Sequence, residues 1–237
     1  MLADSPLQPR RRHVAGWTGQ EMLVWGGESS GSSLSDGAAY DPMANTWRSI
    51  ALSTLEWRPN SAATWTGTEW VVSTSAVDGD SEVLEFAAYD PARDEWRHLP
   101  TVESRLDTET ALVWTGEDLV VLNSTSGIHR LREAADAWEP LPPIRLAGGL
   151  AWTGTDLVAM SLEYLGTDEP RYRSTMAEWN PQTNEWRLIR HPFGDRMQVS
   201  LGRIRTSFSW LQASYMTQIL ASGGQPTSQI PPTDSET

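Results

Sequence analysis

Short apolar runs broken by glycine and by Asx-Pro pairs pattern this chain. Val14-Ala15-Gly16-Trp17 leads into Thr18-Gly19-Gln20, and the apolar run Met22-Leu23-Val24-Trp25 follows. Two such runs around a glycine predict a hairpin, because Gly19 can take the positive φ that tight hairpin turns demand. The arrangement recurs: Trp-Thr-Gly begins at Trp17, Trp65, Trp114 and Trp152, at intervals of 48, 49 and 38 residues. Four residues after each Trp an acid opens the next run, as Glu21, Glu69, Asp118 and Asp156. The second runs, over 22–25, 70–72, 119–122 and 157–160, are continuously apolar, which suits strands covered on both faces, and each is too short for a helix.

A second signature closes each unit. Tyr40-Asp41-Pro42 leads through Asn45 to Trp47-Arg48, Tyr89-Asp90-Pro91 through Asp94 to Trp96-Arg97, and Trp179-Asn180-Pro181 through Asn184 to Trp186-Arg187. The Asx side chain can bond the backbone ahead of it while proline presets φ, and the later Asn or Asp tolerates a left-handed residue. These features predict a second hairpin per unit. The third unit keeps Asp136 and Trp138 but has Leu131-Arg132-Glu133 in place of the aromatic-Asx-Pro. Between the two hairpins the stretches 28–36, 73–82, 123–127 and 161–175 differ in length and are expected to be surface loops.

Past Arg187 the pattern stops. Residues 187–205 hold five Arg and one Asp, and 191–221 are expected to form a partial fifth unit or a segment docked on the acidic repeats. Residues 222–237 are rich in Ser, Thr, Gln, Pro and Gly without an aromatic, a composition expected of a disordered tail.

Composition sharpens the repeat. Nine of the 13 tryptophans fall at repeat positions, so the excess over the three phenylalanines is architectural. The net charge of −13 opposes binding to nucleic acid or to an anionic membrane surface. No cysteine is present, which removes disulfides, thiolate nucleophiles and cysteine metal sites. No export signal and no apolar run long enough to span a membrane is visible. The expectation is therefore a cytoplasmic location by default, or an extracytoplasmic one if the sequence is a piece of an exported protein.

Four strands per unit of about 40–50 residues point to an all-β fold, a β-propeller of about four recognisable four-stranded blades. Approximate blade limits are 10–50, 58–100, 107–141 and 146–189. The order Arg10-x-x-His13, apolar strand, Gly26-Gly27, Tyr40-Asp41-Pro42, Trp47 resembles a kelch repeat of the bacterial, galactose-oxidase-like type. The resemblance covers about residues 6–190. It implies that the Arg-led segment ending at Trp17 is the innermost strand, 22–25 the second, 38–40 the third and 46–50 the outermost. The glycine doublet survives only in the first unit, so the later blades are expected to differ after their second strand.

Kelch propellers usually close with six or seven blades. An open arc of four would leave two sheet faces wet, at roughly 1.5–3 kcal/mol for each large side chain exposed. The chain is accordingly a piece of a longer propeller, a strained ring of four or five blades, or an incomplete arc that self-associates.

The chemistry is sparse. Copper oxidation of the galactose-oxidase kind needs a cysteine-tyrosine crosslink that this chain cannot make. His13, His98, His129 and His191 lack ligand spacing, and no metal site, cofactor or catalytic residue is predicted. Arg10, Arg58 and Arg145 each stand seven residues before a repeat Trp, and as a ring at one channel mouth they form a candidate site for a carboxylate or acidic peptide. Bonding to carbonyls of the neighbouring blade is the structural alternative, and Asp107 interrupts the ring in the third unit. The favoured function is a non-catalytic binding or scaffold module engaging a protein or carbohydrate through inter-strand loops. The rival is a kelch-class enzyme acting on a sugar or sugar acid at the channel mouth, as a mutarotase does.

Overall fold

The computed structural model describes residues 2–106, 109–132, 135–144, 148–164 and 172–189. The expected partial fifth unit over 191–221 and the tail over 222–237 lie outside these residues, as do Arg145 and Asp107.

All regular structure among the described residues is β. The first blade comprises β1 (Val14–Trp17), β2 (Met22–Trp25), β5 (Gly37–Asp41) and β6 (Thr46–Ser49), with a small hairpin of β3 (Glu28–Ser29) and β4 (Ser32–Ser33) inserted before β5. The second runs β7 (Ala62–Trp65), β8 (Trp70–Asp78), β9 (Ser81–Asp90) and β10 (Glu95–Glu103). The third is β11 (Thr110–Trp114), β12 (Asp118–Asn123), β13 (Gly127–Arg132) and β14 (Glu139–Pro140). The fourth is β15 (Gly148–Trp152), β16 (Leu157–Tyr164), β17 (Tyr172–Asn180) and β18 (Glu185–Ile189). Each is a four-stranded antiparallel meander, and the first strands β1, β7, β11 and β15 contact one another in succession. This is a β-propeller-like arrangement.

The Trp-Thr-Gly turn is built alike in all four blades. Gly19, Gly67, Gly116 and Gly154 have φ between 97° and 103°. The threonine does more than fill the turn. Thr18 Oγ1 accepts from the Glu21 amide at 2.9 Å and donates to the Glu21 carbonyl at 3.2 Å, and Thr66, Thr115 and Thr153 repeat the pattern. Both backbone groups at the hairpin end are thereby satisfied without water.

The Asx-Pro turns form as their sequence dictates. Asp41 Oδ1 accepts from the amides of Met43 and Ala44, Asp90 Oδ1 from Ala92 and Arg93, and Asn180 Oδ1 from Gln182 and Thr183. Asn45, Asp94 and Asn184 then take φ of 52°, 55° and 55°. The same side chains also reach outward. Asp94 Oδ1 accepts from the Tyr89 hydroxyl at 2.6 Å and from the Ala51 amide at 2.8 Å, tying the blade to the segment that enters it.

Packing follows one rule. In the second, third and fourth blades the repeat tryptophans Trp65, Trp114 and Trp152 turn towards the preceding blade, in clusters with Leu23 and Trp25, with Val71 and Ala88, and with Val120 and Leu122 respectively. We call this side the leading face. The outer tryptophans stitch its rim: Trp96, Trp138 and Trp186 donate from Nε1 to the carbonyls of Ala51, Pro100 and Pro142. Trp25 reaches Trp96 with ring centroids 6.2 Å apart, and Phe86 reaches Trp138 at 4.5 Å.

One expectation needs correction. The stretches expected as surface loops are partly strand: the first holds the β3–β4 hairpin, β8 continues to Asp78 with Ser73, Thr74 and Ser75 buried, β12 ends at the buried Asn123, and β16 runs on to Tyr164 with β17 beginning at Tyr172. Gly26 and Gly27, at φ of 74° and 97°, end β2 at Trp25, whereas Ser73-Thr74 carries no such break and the ladder extends. Gly16 has a packing duty of its own, since the Trp70 indole occupies the space a Cβ would need. Gly16→Ala is expected to destabilise the fold by about 1–3 kcal/mol through overpacking, measured by urea denaturation.

Candidate functional site

The three arginines singled out by sequence do not share one environment. Arg10 enters β1 with its side chain only 4% exposed. Its guanidinium forks onto the Asp36 carboxylate at 2.9 and 3.0 Å and donates to the carbonyls of Gly26 and Asp36. The arginine therefore clamps the turn after β2 to the start of β5. This fork holds the Asp36 carboxyl below the usual carboxylate range, and burial together with the Arg10 charge depresses His13.

Arg58 is different. Its amide donates to Thr74 Oγ1 at 3.1 Å, and its carbonyl accepts from Ser61 Oγ at 2.7 Å. Thr74 Oγ1 donates to the Glu56 carbonyl at 3.0 Å. The polar side chains of Thr74 and Ser61 thus hold the backbone here, work that the Arg10 guanidinium does in the first blade. Arg58 is half-buried as a residue, and its guanidinium has no hydrogen bond or ion pair among the described residues. Arg145 lies outside them.

The repeated acids are also spoken for. Arg48 grips Glu21 through Nε and a terminal nitrogen at 3.0 and 2.7 Å and donates to the Tyr89 hydroxyl of the next blade at 3.1 Å. Burial pushes the Tyr89 hydroxyl up to about 12, and the paired carboxylate raises Arg48. Arg97 holds Glu69 in the same way. In the third blade Glu139 replaces the outer-strand arginine, and Arg130 on β13 stands between Asp118 and Glu139, at 3.8 and 3.1 Å. Its guanidinium also lies over the Trp179 ring of the fourth blade, 5.8 Å from the centroid. Asp118 is nevertheless raised, chiefly by burial.

What remains for recognition is the opposite end of the blades. The second-to-third strand connections include the β3–β4 hairpin, the β8–β9 arm and a short turn at 124–126. The β8–β9 arm carries exposed residues from Val77 to Glu82. The turn at 124–126 is folded over the buried Asn123 carboxamide, which accepts from the amides of Thr125 and Ser126. The arm was hidden from sequence because 73–82 is polar, and only the unbroken strand opposite Ser81–Asp90 shows that it is paired. Among the described residues no group of three or more His, Asp or Glu is placed to hold a metal ion. No helix among them is long and apolar enough to cross a membrane.

Comparison with known proteins supports the architecture alone. No protein-family model matches the chain, and no curated protein matches it. The solved structure of YjhT is similar to it, with a TM-score of 0.54 over 84% of this chain and 73% of that one, at 14% sequence identity. At that identity the likeness shows a shared β-propeller-like fold.

Two predictions separate the arginines and the histidines. Arg10→Met is expected to cost about 1.5–3 kcal/mol by breaking charged hydrogen bonds, whereas Arg58→Met should stay within about 0.5 kcal/mol, both read by chemical denaturation. His13 and His129 are both depressed by burial, so the unfolded chain binds more protons once pH falls below about 6.5. Stability should therefore drop between pH 7 and pH 5, and His13→Asn with His129→Asn should flatten that slope. Asp118, raised in the folded state, acts in the opposite sense at lower pH.

Proposed function

We propose that the chain is a non-catalytic binding or scaffold module of the kelch β-propeller type, engaging a protein or glycan through the loops at one end of its blades. The kelch assignment rests on the spacing of Arg10-x-x-His13, Gly26-Gly27 and Tyr40-Asp41-Pro42, with blades over about 10–50, 58–100, 107–141 and 146–189.

One observation carries the functional reading: the two ends of the blades are treated differently. At the Trp-Thr-Gly end all four turns share one conformation and one threonine hydrogen-bond pattern. At the other end the β3–β4 hairpin, the β8–β9 arm and the 124–126 turn all differ. Loops positioned on a rigid scaffold are where recognition resides, and a scaffold that holds one end constant while varying the other fits a binder. The repeated Arg and acid side chains are consumed in holding strands together, which leaves few convergent groups for chemistry. Of the three candidate channel-mouth residues Arg10, Arg58 and Arg145, Arg58 best suits an acidic group on the ligand, because its guanidinium is not committed among the described residues.

The test replaces residues 77–82 by Asn-Gly, a two-residue hairpin turn that preserves the ladder below it. Wild-type protein is expected to retain a glycan on an array or a protein in affinity capture, and the shortened variant to lose that ligand with an unchanged Tm. Retention by the shortened variant would contradict a role for this arm. Turnover of a sugar acid by the wild type would contradict the non-catalytic reading.

A further inference from the structure

The leading face of the first blade has no described blade against it, yet it is finished like the leading faces that do. Tyr40 and Trp47 stand with ring centroids 4.9 Å apart, matching Tyr89 and Trp96 at 5.1 Å on the second blade. Tyr40 donates to Asn45 at 2.8 Å, as Tyr89 donates to Asp94.

The rim is finished too. Trp47 donates from Nε1 to the Ala3 carbonyl at 3.2 Å, and the Ala3 amide donates to Asn45 at 3.0 Å. These repeat the bonds of Trp96 and Asp94 to Ala51. The Leu7 amide donates to Ser5 Oγ at 3.1 Å, just as Leu55 donates to Ser53 at 3.1 Å. Residues 3–7 thus trace the path that 51–55 take between the first and second blades. In the second blade this path borders a neighbouring sheet.

On the first blade the corresponding surface is an open, almost wholly apolar groove of about 580 Å³, lined by Ala15, Trp17, Met22, Tyr40, Trp47 and others. Trp17 is 52% exposed, unlike its counterparts packed into shared clusters. Val24, Ala38 and Tyr40 are buried but belong to no cluster that the described blades share.

We propose that this chain's own residues 191–221 cover the leading face of the first blade. Position argues for it: the fourth blade ends its outermost strand at Ile189, and the 31 residues of 191–221 follow almost at once in the chain. Chemistry argues for it as well. The aromatic pair of each covered leading face receives side chains from the blade before it: Trp25 on the outer-strand Trp96 and Phe86 on the outer-strand Trp138, with the Arg48 and Arg130 guanidinium groups on the third-strand Tyr89 and Trp179. By that pattern an occupant of this face brings an aromatic to Trp47 and an arginine to Tyr40, among alternating apolar residues. Residues 197–220 supply Met197, Val199 and Leu201, then Phe208 and Trp210, with Arg203 and Arg205 between. The same segment is basic in a chain of net charge −13.

The test places the photo-crosslinking residue p-benzoylphenylalanine at position 17 of the full chain. Irradiation is expected to give a crosslinked product of monomer mass whose tryptic map joins the Trp17 peptide to a peptide from 191–221. A crosslinked dimer would overturn the proposal in favour of a second copy on this face. Crosslinks confined to the first blade would overturn it in favour of an uncovered face. As a second readout in the full chain, Met22→Arg should speed tryptic cleavage at Arg203 and Arg205 by ~10-fold or more while the blades stay intact. An unchanged rate would also overturn it.

Discussion

A four-stranded blade has two apolar faces and no interior, so every sheet in this chain depends on a neighbour to keep it dry. The tryptophans are the currency of that dependence. Trp65, Trp114 and Trp152 fill the gap to the preceding blade, where small residues make room: Ala88 in the cluster of Trp114, and Gly16 against the indole of Trp70. Burying an aromatic of this size removes on the order of 150–250 Å² from water, which is why so few blades can sustain a core. Trp96 shows the density of the arrangement, lying within 6.4 Å, centroid to centroid, of Trp25, Trp70 and Tyr89.

Directional bonds then fix what the apolar contacts leave free. Each outer tryptophan donates to the carbonyl of the segment entering its blade, so packing and chain path are set by one side chain. Asp94 does the same from the turn, and Arg48 spans Glu21 of its own blade and Tyr89 of the next. The cross-strand acid-arginine pair persists even where its residues change place, as the transfer from outer-strand Arg48 and Arg97 to Arg130 shows. Such a frame holds loops in fixed positions, which is the structural basis for reading the molecule as a binder.

Much of this was legible in the sequence, and the reasons are local. Trp-Thr-Gly and Tyr-Asp-Pro specify their turns within four residues, and continuous runs such as 119–122 announce strands covered on both sides. Contacts formed across 40 or more residues were not legible. Nothing local reveals that Asn45 and Asp94 serve an incoming backbone amide as well as their own turn. The candidate site divides similarly. Equal spacing before a repeat Trp placed Arg10 and Arg58 at matching points, but their roles diverge because Asp36 faces one while Thr74 and Ser61 take over the backbone bonding at the other.

The central claim is that blades are stable only as partners, through the tryptophan interface. Hydrogen exchange on a Trp96→Ala variant tests it most directly, since Trp96 sits on the second blade but packs against Trp25 of the first. Faster exchange should appear together in β2 and β5 of the first blade and in β8 and β9 of the second, with β16 of the fourth unchanged. Faster exchange confined to the second blade would contradict the claim.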